Sequence, residues 1–323
     1  MKYSELRTRN DCLKILSDAR WADGFYCPKC TYKDKSNIIT DRGLSCCKNC
    51  RTQISPTSGT IFQDVRRLPE WFHIIETLLG DQDGLSHADL KSQFSDFDKK
   101  AILKCHNKIR DIFEDIEKPA LQGRIFVCCR FVGSDQERKS ERRKRPLIAL
   151  AAELDDNISV KRIKLEYLLD NNGHVFFHRL IDDINDYIGR MLYAQDISEE
   201  KKEEALEVCD ARMQVINTEM TQAMNNFINN VIIAGQSTVL YDPDYHKNES
   251  LTLQGTPHIF VQQFHDDIND IFEKLDSYLN KCRVAPNSKN SKKCFSEFVF
   301  SKNHGSLTTS DKFELFIKKA VCK

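Results

Sequence analysis

Apolar positions in the first third of the chain recur at helical spacing in short blocks. Leu6, Cys12, Leu13, Leu16 and Ala19 keep an approximate helical period over residues 4–20, with Ser4 and the basic Arg7 and Arg9 at the start, which predicts an opening helix. A second helix begins near Pro69, a residue suited to a first turn, and runs over 70–79 with Trp71, Phe72, Ile75 and Leu78 inward. Gly80 and Gly84 close it. Ser86 caps a helix through Phe94, Ser95-Asp96-Phe97 makes a tight turn, and Asp98 caps a longer helix to about Glu117. Two helices joined by so short a turn, the second carrying Lys99, Lys100, Lys104, His106, Lys108 and Arg110, form a helix-turn-helix pattern, although many helical hairpins share it.

Beyond Pro119 the period changes from helical to extended. Residues 124–132, 147–154 and 160–169 are β-rich runs, and the first gap holds the basic stretch Glu137-Arg138-Lys139-Ser140-Glu141-Arg142-Arg143-Lys144-Arg145. That stretch reads equally as a nuclear import signal, a nucleic-acid contact or a solvated hairpin tip. Residues 174–215 are helical, with the acid-rich run Ser198-Glu199-Glu200-Lys201-Lys202-Glu203-Glu204, and a further helix spans 218–231. A fourth strand at 237–241, a fifth at 257–261 and helices at 264–281, 293–302 and 310–321 finish the pattern. Three strands, a helix, a fourth strand and then helices is the order of a ribonuclease-H-like α/β core, and 174–215 is longer than such a core needs there. It reads as an insertion with a scaffold or self-association role.

Cysteine spacing supplies the sharpest chemistry. Cys27-Pro28-Lys29-Cys30 and Cys47-Lys48-Asn49-Cys50 are two C-x-x-C knuckles about 16 residues apart, the spacing at which four thiolates close a tetrahedral Zn²⁺ site. Cys46 competes with Cys47, but only Cys47 leaves two residues before Cys50. The 13 cysteines are an odd number in a chain with no apolar leader, which argues for a reducing compartment and against a secreted disulfide scaffold. No stretch approaches a membrane span in length.

At 323 residues and 40% hydrophobic the chain can bury a sizeable core and hold two or three domains. Its formal net charge is zero, which excludes a uniformly basic nucleic-acid coat. Cations nevertheless exceed acids in residues 1–60, eleven to six, around the metal motif. That surplus suits phosphate contact, and equally a merely soluble face.

Several motifs, in order, resemble the zinc-ribbon insertion-sequence transposases and their Merlin-type relatives of the DDE superfamily. Trp21-Ala22-Asp23-Gly24-Phe25-Tyr26-Cys27-Pro28-Lys29-Cys30 is similar to their W-x-D-G-x-x-C-P-x-C opening. Thr57-Ser58-Gly59-Thr60-Ile61-Phe62, with Leu68 and Trp71-Phe72 after it, resembles their T-x-G-T-x-F, L and W-F positions. His106-Asn107-Lys108-Ile109-Arg110 resembles the H-x-K-I-R end of the recognition helix. Glu297-Phe298-Val299-Phe300-Ser301-Lys302-Asn303 resembles E-F-x-F-R-x-N, with Ser301 in place of arginine.

The resemblance implies a multidomain chain: an N-terminal helix over 1–20, a zinc ribbon over 21–62 and a helix-turn-helix over 63–118. An α/β ribonuclease-H-like domain over 119–305 follows, with the helical insertion at about 174–215, and a C-terminal helix over 306–323. It implies zinc on Cys27, Cys30, Cys47 and Cys50, and double-stranded DNA as partner through Lys99, Lys100, Lys104, Lys108 and Arg110. A homo-oligomer is compatible with it. The location would be nuclear in a eukaryote and cytoplasmic otherwise.

It also places a gap where the chemistry should be. The stretch matching the family's G-x-V-E-V-D-E-x-Y-V-G strand is Gly123-Arg124-Ile125-Phe126-Val127-Cys128-Cys129-Arg130-Phe131-Val132-Gly133, so Cys128 stands at the first catalytic aspartate. A thiol is a poor substitute for a hard oxygen ligand of Mg²⁺. Asp242, before Tyr245, matches the second aspartate, and Asp270 the third acid through the match of His265-Asp266-Asp267-Ile268-Asn269-Asp270 to H-T-N-x-I-E, with Asp244, Asp266 and Asp267 as alternatives close by, one of which would serve only to cap the following helix. On its own chemistry the Cys128 and Cys129 pair reads as small apolar filling of a buried strand. The resulting expectation is a transposase-derived, zinc-dependent DNA-binding protein whose DDE-type site is degenerate. The alternatives are an active cut-and-paste transposase using two Mg²⁺ or Mn²⁺ ions, with Asp135 taking over a metal contact, and a zinc-ribbon factor that binds protein.

Overall fold

The computed structural model describes residues 7–34, 38–39, 43–132, 146–168, 184, 186–187, 190, 198–241, 258–260, 265–282 and 289–321. Its elements run α1 (Arg9–Arg20), β1 (Phe25–Tyr26), β2 (Lys33–Asp34), β3 (Ile38–Ile39), β4 (Ser45–Cys46), β5 (Gln53–Ile54), α2 (Leu68–Gly80), α3 (His87–Gln93) and α4 (Lys99–Ile116). They continue with β6 (Leu121–Phe131), β7 (Leu147–Leu154), β8 (Val160–Tyr167), α5 (Glu199–Val231), β9 (Ile232–Tyr241), β10 (His258–Phe260), α6 (His265–Lys281), α7 (Lys289–Asn303) and α8 (Thr309–Val321). The chain divides into two compact units, Met1–Lys118 with Ser296–Lys323, and Pro119–Phe295. The second unit is therefore inserted within the sequence of the first, and the boundary falls inside α7.

The first unit joins the N-terminal helices to the C-terminal ones. α1 starts later than residue 4 because Thr8 forms a capping box: its hydroxyl accepts from the Asp11 amide, and the Asp11 carboxylate accepts from the Thr8 amide at 2.8 Å. Ser86 and Asp98 cap α3 and α4 as their positions suggest. Pro69 lies in the first turn of α2. The helix expected to stand alone at 306–323 instead packs, as α8, against α1, α2 and α4. The reason lies on α4, whose apolar stripe needs more cover than α2 and α3 provide. Phe300 stacks on Phe113 at 4.5 Å between ring centroids, Phe316 meets Phe113 edge-on at 5.5 Å, and Phe313 meets Phe72 at 5.3 Å. The second cut thus falls between 295 and 296 rather than at 305, and residues 296–323 belong with this core.

In the second unit a five-stranded sheet runs in the order β8-β7-β6-β9-β10, with β6, β7 and β8 antiparallel in sequence and β9 and β10 parallel to β6. All eight residues of β7 are buried, as expected of a strand covered on both faces. One face of β6, through Ile125, Val127 and Cys129, meets Met224, Phe227, Ile228 and Val231 of α5. On the other face Arg130 reaches α6, where its Nη1 donates to Asn269 Oδ1 at 3.2 Å. The expected break between helices at 215 and 218 is absent, since α5 runs unbroken and the Thr218 hydroxyl donates to the Gln214 carbonyl at 2.8 Å. β9 starts at Ile232, ahead of the expected 237, with a register shift between Leu121 and Gly123 absorbing the difference. Most of the expected insertion before residue 198, the basic run 137–145 and Asp135 lie outside the described residues.

Candidate metal centre and nucleic-acid interface

The two knuckles fold alike because they make the same backbone bonds. Cys27 N–H donates to Tyr32 O and Thr31 N–H to Cys27 O, each at 2.9 Å; Cys47 N–H donates to Thr52 O and Arg51 N–H to Cys47 O, each at 3.0 Å. In each knuckle the residue after the second cysteine is left-handed, Thr31 at φ 58° and Arg51 at φ 59°. Neither is glycine, so each turn holds a conformation that an L side chain rarely adopts.

The result brings the sulfurs of Cys27, Cys30, Cys47 and Cys50 within 4.8 Å of one another. Cys27 and Cys50 sulfurs are 3.7 Å apart and those of Cys30 and Cys47 3.6 Å. Tetrahedral Zn²⁺ with Zn–S near 2.3 Å sets sulfurs about 3.8 Å apart, so the four side chains fit the ion. Hydrogen bonds from Thr52 hold the Cys50 thiol down to about 6, while burial pushes Cys47 up to about 11. Thiolates are the ligating form, so Zn²⁺ binding would release the protons of these thiols. Cys46 points elsewhere, with its thiol near the Cys47 and Arg51 carbonyls. Among the described residues no other group of three His, Cys, Asp or Glu gathers in this way.

The ribbon is tied to α1. Gly43, at φ 68°, lies so close to Leu13 that a Cβ there would sit 2.9 Å from Leu13 Cδ1. Arg20 Nη1 donates to Pro56 O at 3.0 Å and Ser58 O at 2.5 Å.

On α4 the five candidate DNA contacts separate into two sets. Lys99, Lys100 and Lys104 are exposed on its first two turns. Lys108 is half-buried, lies over the Trp71 ring and donates to Ile61 O at 3.0 Å. Arg110 is 1% exposed, and its Nε donates to Glu297 Oε2 at 2.6 Å. Arg110 is therefore an internal strut of the first unit and leaves the set of phosphate contacts. The same Glu297 oxygen lies 3.0 Å from His106 Nε2, and the His87 ring packs edge-on to His106 at 5.0 Å. Burial pushes the Glu297 carboxyl up, but Arg110 and His106 outweigh it and hold the group at about 2. Burial, with His106 and Arg110 nearby, lowers His87 to about 4. The spacing of residues 102, 105, 106, 109, 110 and 113 carried the signal, because Arg110 falls on the same stripe as Ile102, Ile109 and Phe113.

In the second unit Cys128 is fully buried in mid-strand, paired across the ladder with Leu150. Alternation along β6 puts it on the face of Phe126 and Arg130, opposite Cys129. The parallel ladder between β6 and β9 is described up to Val127 and Tyr241, the residues immediately before Cys128 and Asp242. Asp242, Asp244 and the side chain of Asp266 lie outside the described residues. Asp270 is exposed on α6 and pairs with Lys274 one turn on. Asp267 is exposed as well, and Asn269 is the residue of that run that reaches β6.

No helix among the described residues is long and apolar enough to cross a membrane. No curated protein and no solved structure matches the chain. A family model does: the transposase zinc-ribbon domain of the IS1595 type matches residues 7–53, a span that takes in α1 as well as both knuckles. The four-cysteine cluster thus sits within a segment related to the zinc ribbons of insertion-sequence transposases.

Proposed function

We propose that the chain is a transposase-derived, zinc-dependent protein that binds double-stranded DNA through its first unit and does not cleave it. The observation that carries this reading is the pair of matching knuckles whose four sulfurs converge at zinc spacing inside a transposase-type ribbon. Zn²⁺ on Cys27, Cys30, Cys47 and Cys50 supplies the cross-link that a module with so small a core lacks. α3 and α4, joined by the short turn at 94–98, serve as a helix-turn-helix with α4 toward the groove.

The second unit has the strand order and directions of a ribonuclease-H-like sheet, which supports that reading of its ancestry. Cleavage in such a fold needs carboxylates facing one another to share divalent ions. Cys128 offers a buried thiol in mid-strand on the face toward α6, and Asp270 is directed to solvent and paired with Lys274. Mg²⁺ or Mn²⁺ would belong only to an active enzyme.

The test uses the full-length, zinc-loaded protein with supercoiled and linear duplex DNA. Salt-dependent binding at low ionic strength without nicking in Mg²⁺ or Mn²⁺ is expected. Metal-dependent nicking lost in Asp242→Ala would establish an active transposase. Absence of duplex binding at low salt would transfer the first unit to a protein-binding role.

A further inference from the structure

The outward side of α4 changes sign along its length. Lys99, Lys100 and Lys104 occupy the first two turns, whereas Asp111, Glu114 and Asp115 occupy the last two. Phosphate therefore favours the N-terminal end and repels the other. Lys99, Lys100 and Lys104, with the exposed Arg66, have no ion-pair partner among the described residues; by contrast Arg67 pairs with Glu70 at 2.9 Å, and Lys108 and Arg110 are engaged inward. Arg66 and Lys104 border one open cleft of about 530 Å³ in the first unit. Of the cations on α4 and along this cleft, which Asp64, Asp96 and Asp98 also line, these four leave their charge available to a polyanion.

Within them lies Leu103, 39% exposed. A single exposed leucine needs no explanation by itself. Its position does: it shares the outward face with Lys99 and Lys100, while Ile102, Cys105 and Ile109 take the buried stripe. A helix lying in the major groove presents residues of its N-terminal turns to base edges, and the one apolar group displayed there is the thymine C5-methyl.

We infer that Leu103 is the base-reading side chain of this protein, selecting thymine by its methyl group, while Lys99, Lys100, Lys104 and Arg66 hold the flanking phosphates. This rests on the DNA-binding reading above. The contact is apolar and methyl-sized, so it discriminates by about fourfold. Phosphate contacts carry no sequence information, so the roles separate experimentally.

The experiment selects duplexes from a random-sequence pool with the full-length, zinc-loaded protein, and then replaces each thymine of the selected site by deoxyuridine. The wild type should lose about fourfold at one thymine position, and Leu103→Ala should bind the thymine and uracil duplexes equally. Leu103→Gln should move the preference at that position to adenine, which glutamine can contact through two hydrogen bonds. Lys100→Ala should weaken all duplexes alike and flatten the salt dependence. Exposure at position 103 makes the variants compatible with folding, checked by zinc content and thermal unfolding. Binding without sequence preference, or a deoxyuridine effect that survives in Leu103→Ala, overturns the inference. Failure of the wild type to retain any duplex at low salt rejects the DNA-binding reading itself.

Discussion

Arg110 and Glu297 are 187 residues apart in sequence and meet at 2.6 Å inside the first unit, both almost fully buried. With His106 they unite two motifs that look unrelated along the chain, one near the end of a basic helix and one in the closing segment. The pair ties α4 to the part of α7 that returns after the second unit. A buried ion pair adds little over apolar packing, yet removing one partner leaves an uncompensated charge.

Glu297→Gln should therefore destabilise the protein by about 3 kcal/mol, and Arg110→Met combined with Glu297→Leu should recover much of that loss. Denaturant titration of the full chain measures both. A Lys100→Ala control at an exposed position should stay within about 0.5 kcal/mol of wild type.

A related expectation concerns the C-terminal segment. Deleting 296–323 removes Phe300, Phe313 and Phe316 from the core they share with Phe72 and Phe113. Residues 1–118 alone should show helical signal without a cooperative thermal transition. Residues 1–118 linked to 296–323 through a flexible spacer should regain it. Cooperative folding of 1–118 by itself would contradict the discontinuous unit.

Acid should weaken this unit in two stages. His87 ordinarily titrates at 6.5 and here at about 4, with burial, His106, Arg110 and Lys99 opposing its protonation and Glu297 favouring it. A depressed histidine contributes stability above 6.5 that is lost as pH falls toward 4, because the unfolded chain takes the proton first. Glu297 shifts from 4.5 to about 2, so its contribution is lost below 4.5. His87→Phe should flatten the upper stage only. Comparing the two proteins by denaturant midpoint across pH 7 to 3 cancels the shared loss of zinc.

Zinc removal is the next test. Cys27→Ser, Cys30→Ser, Cys47→Ser and Cys50→Ser should each abolish stoichiometric zinc, while Cys46→Ser should retain it, as metal analysis of the purified chains will read. Chelator should unfold the ribbon, and an unchanged near-ultraviolet spectrum after chelation would count against a structural ion.

Gly43→Ala should lose about 1–2 kcal/mol, because the position is left-handed and the new methyl meets Leu13. Adding Leu13→Ala relieves the collision without relieving the backbone, so it should not restore the lost stability, as denaturant titration of the zinc-loaded chain will read.

Some of this protein is local and could be read directly from the chain. The knuckles are local, since two residues between cysteines are enough to aim paired sulfurs, and Ser86 and Asp98 cap the helices that follow them because a cap acts within three residues. β7 spans the expected 147–154, its uninterrupted apolar run being the mark of a strand covered twice. Periodicity, however, gives the face of a helix and not what covers it. Lys108 and Arg110 looked like surface cations because their charge was visible and their partners, Ile61 and Glu297, were not. The basic character of α4 therefore shrank to its first two turns. Long-range closure assigned residues 296–323 to the N-terminal core, since α4 has an apolar stripe that its sequence neighbours leave uncovered. Asp270 shows the same limit: motif alignment can set an acid at a position, but whether its carboxylate faces a sheet or solvent depends on how α6 is rotated, which packing of Ile268, Phe272 and Leu275 fixes.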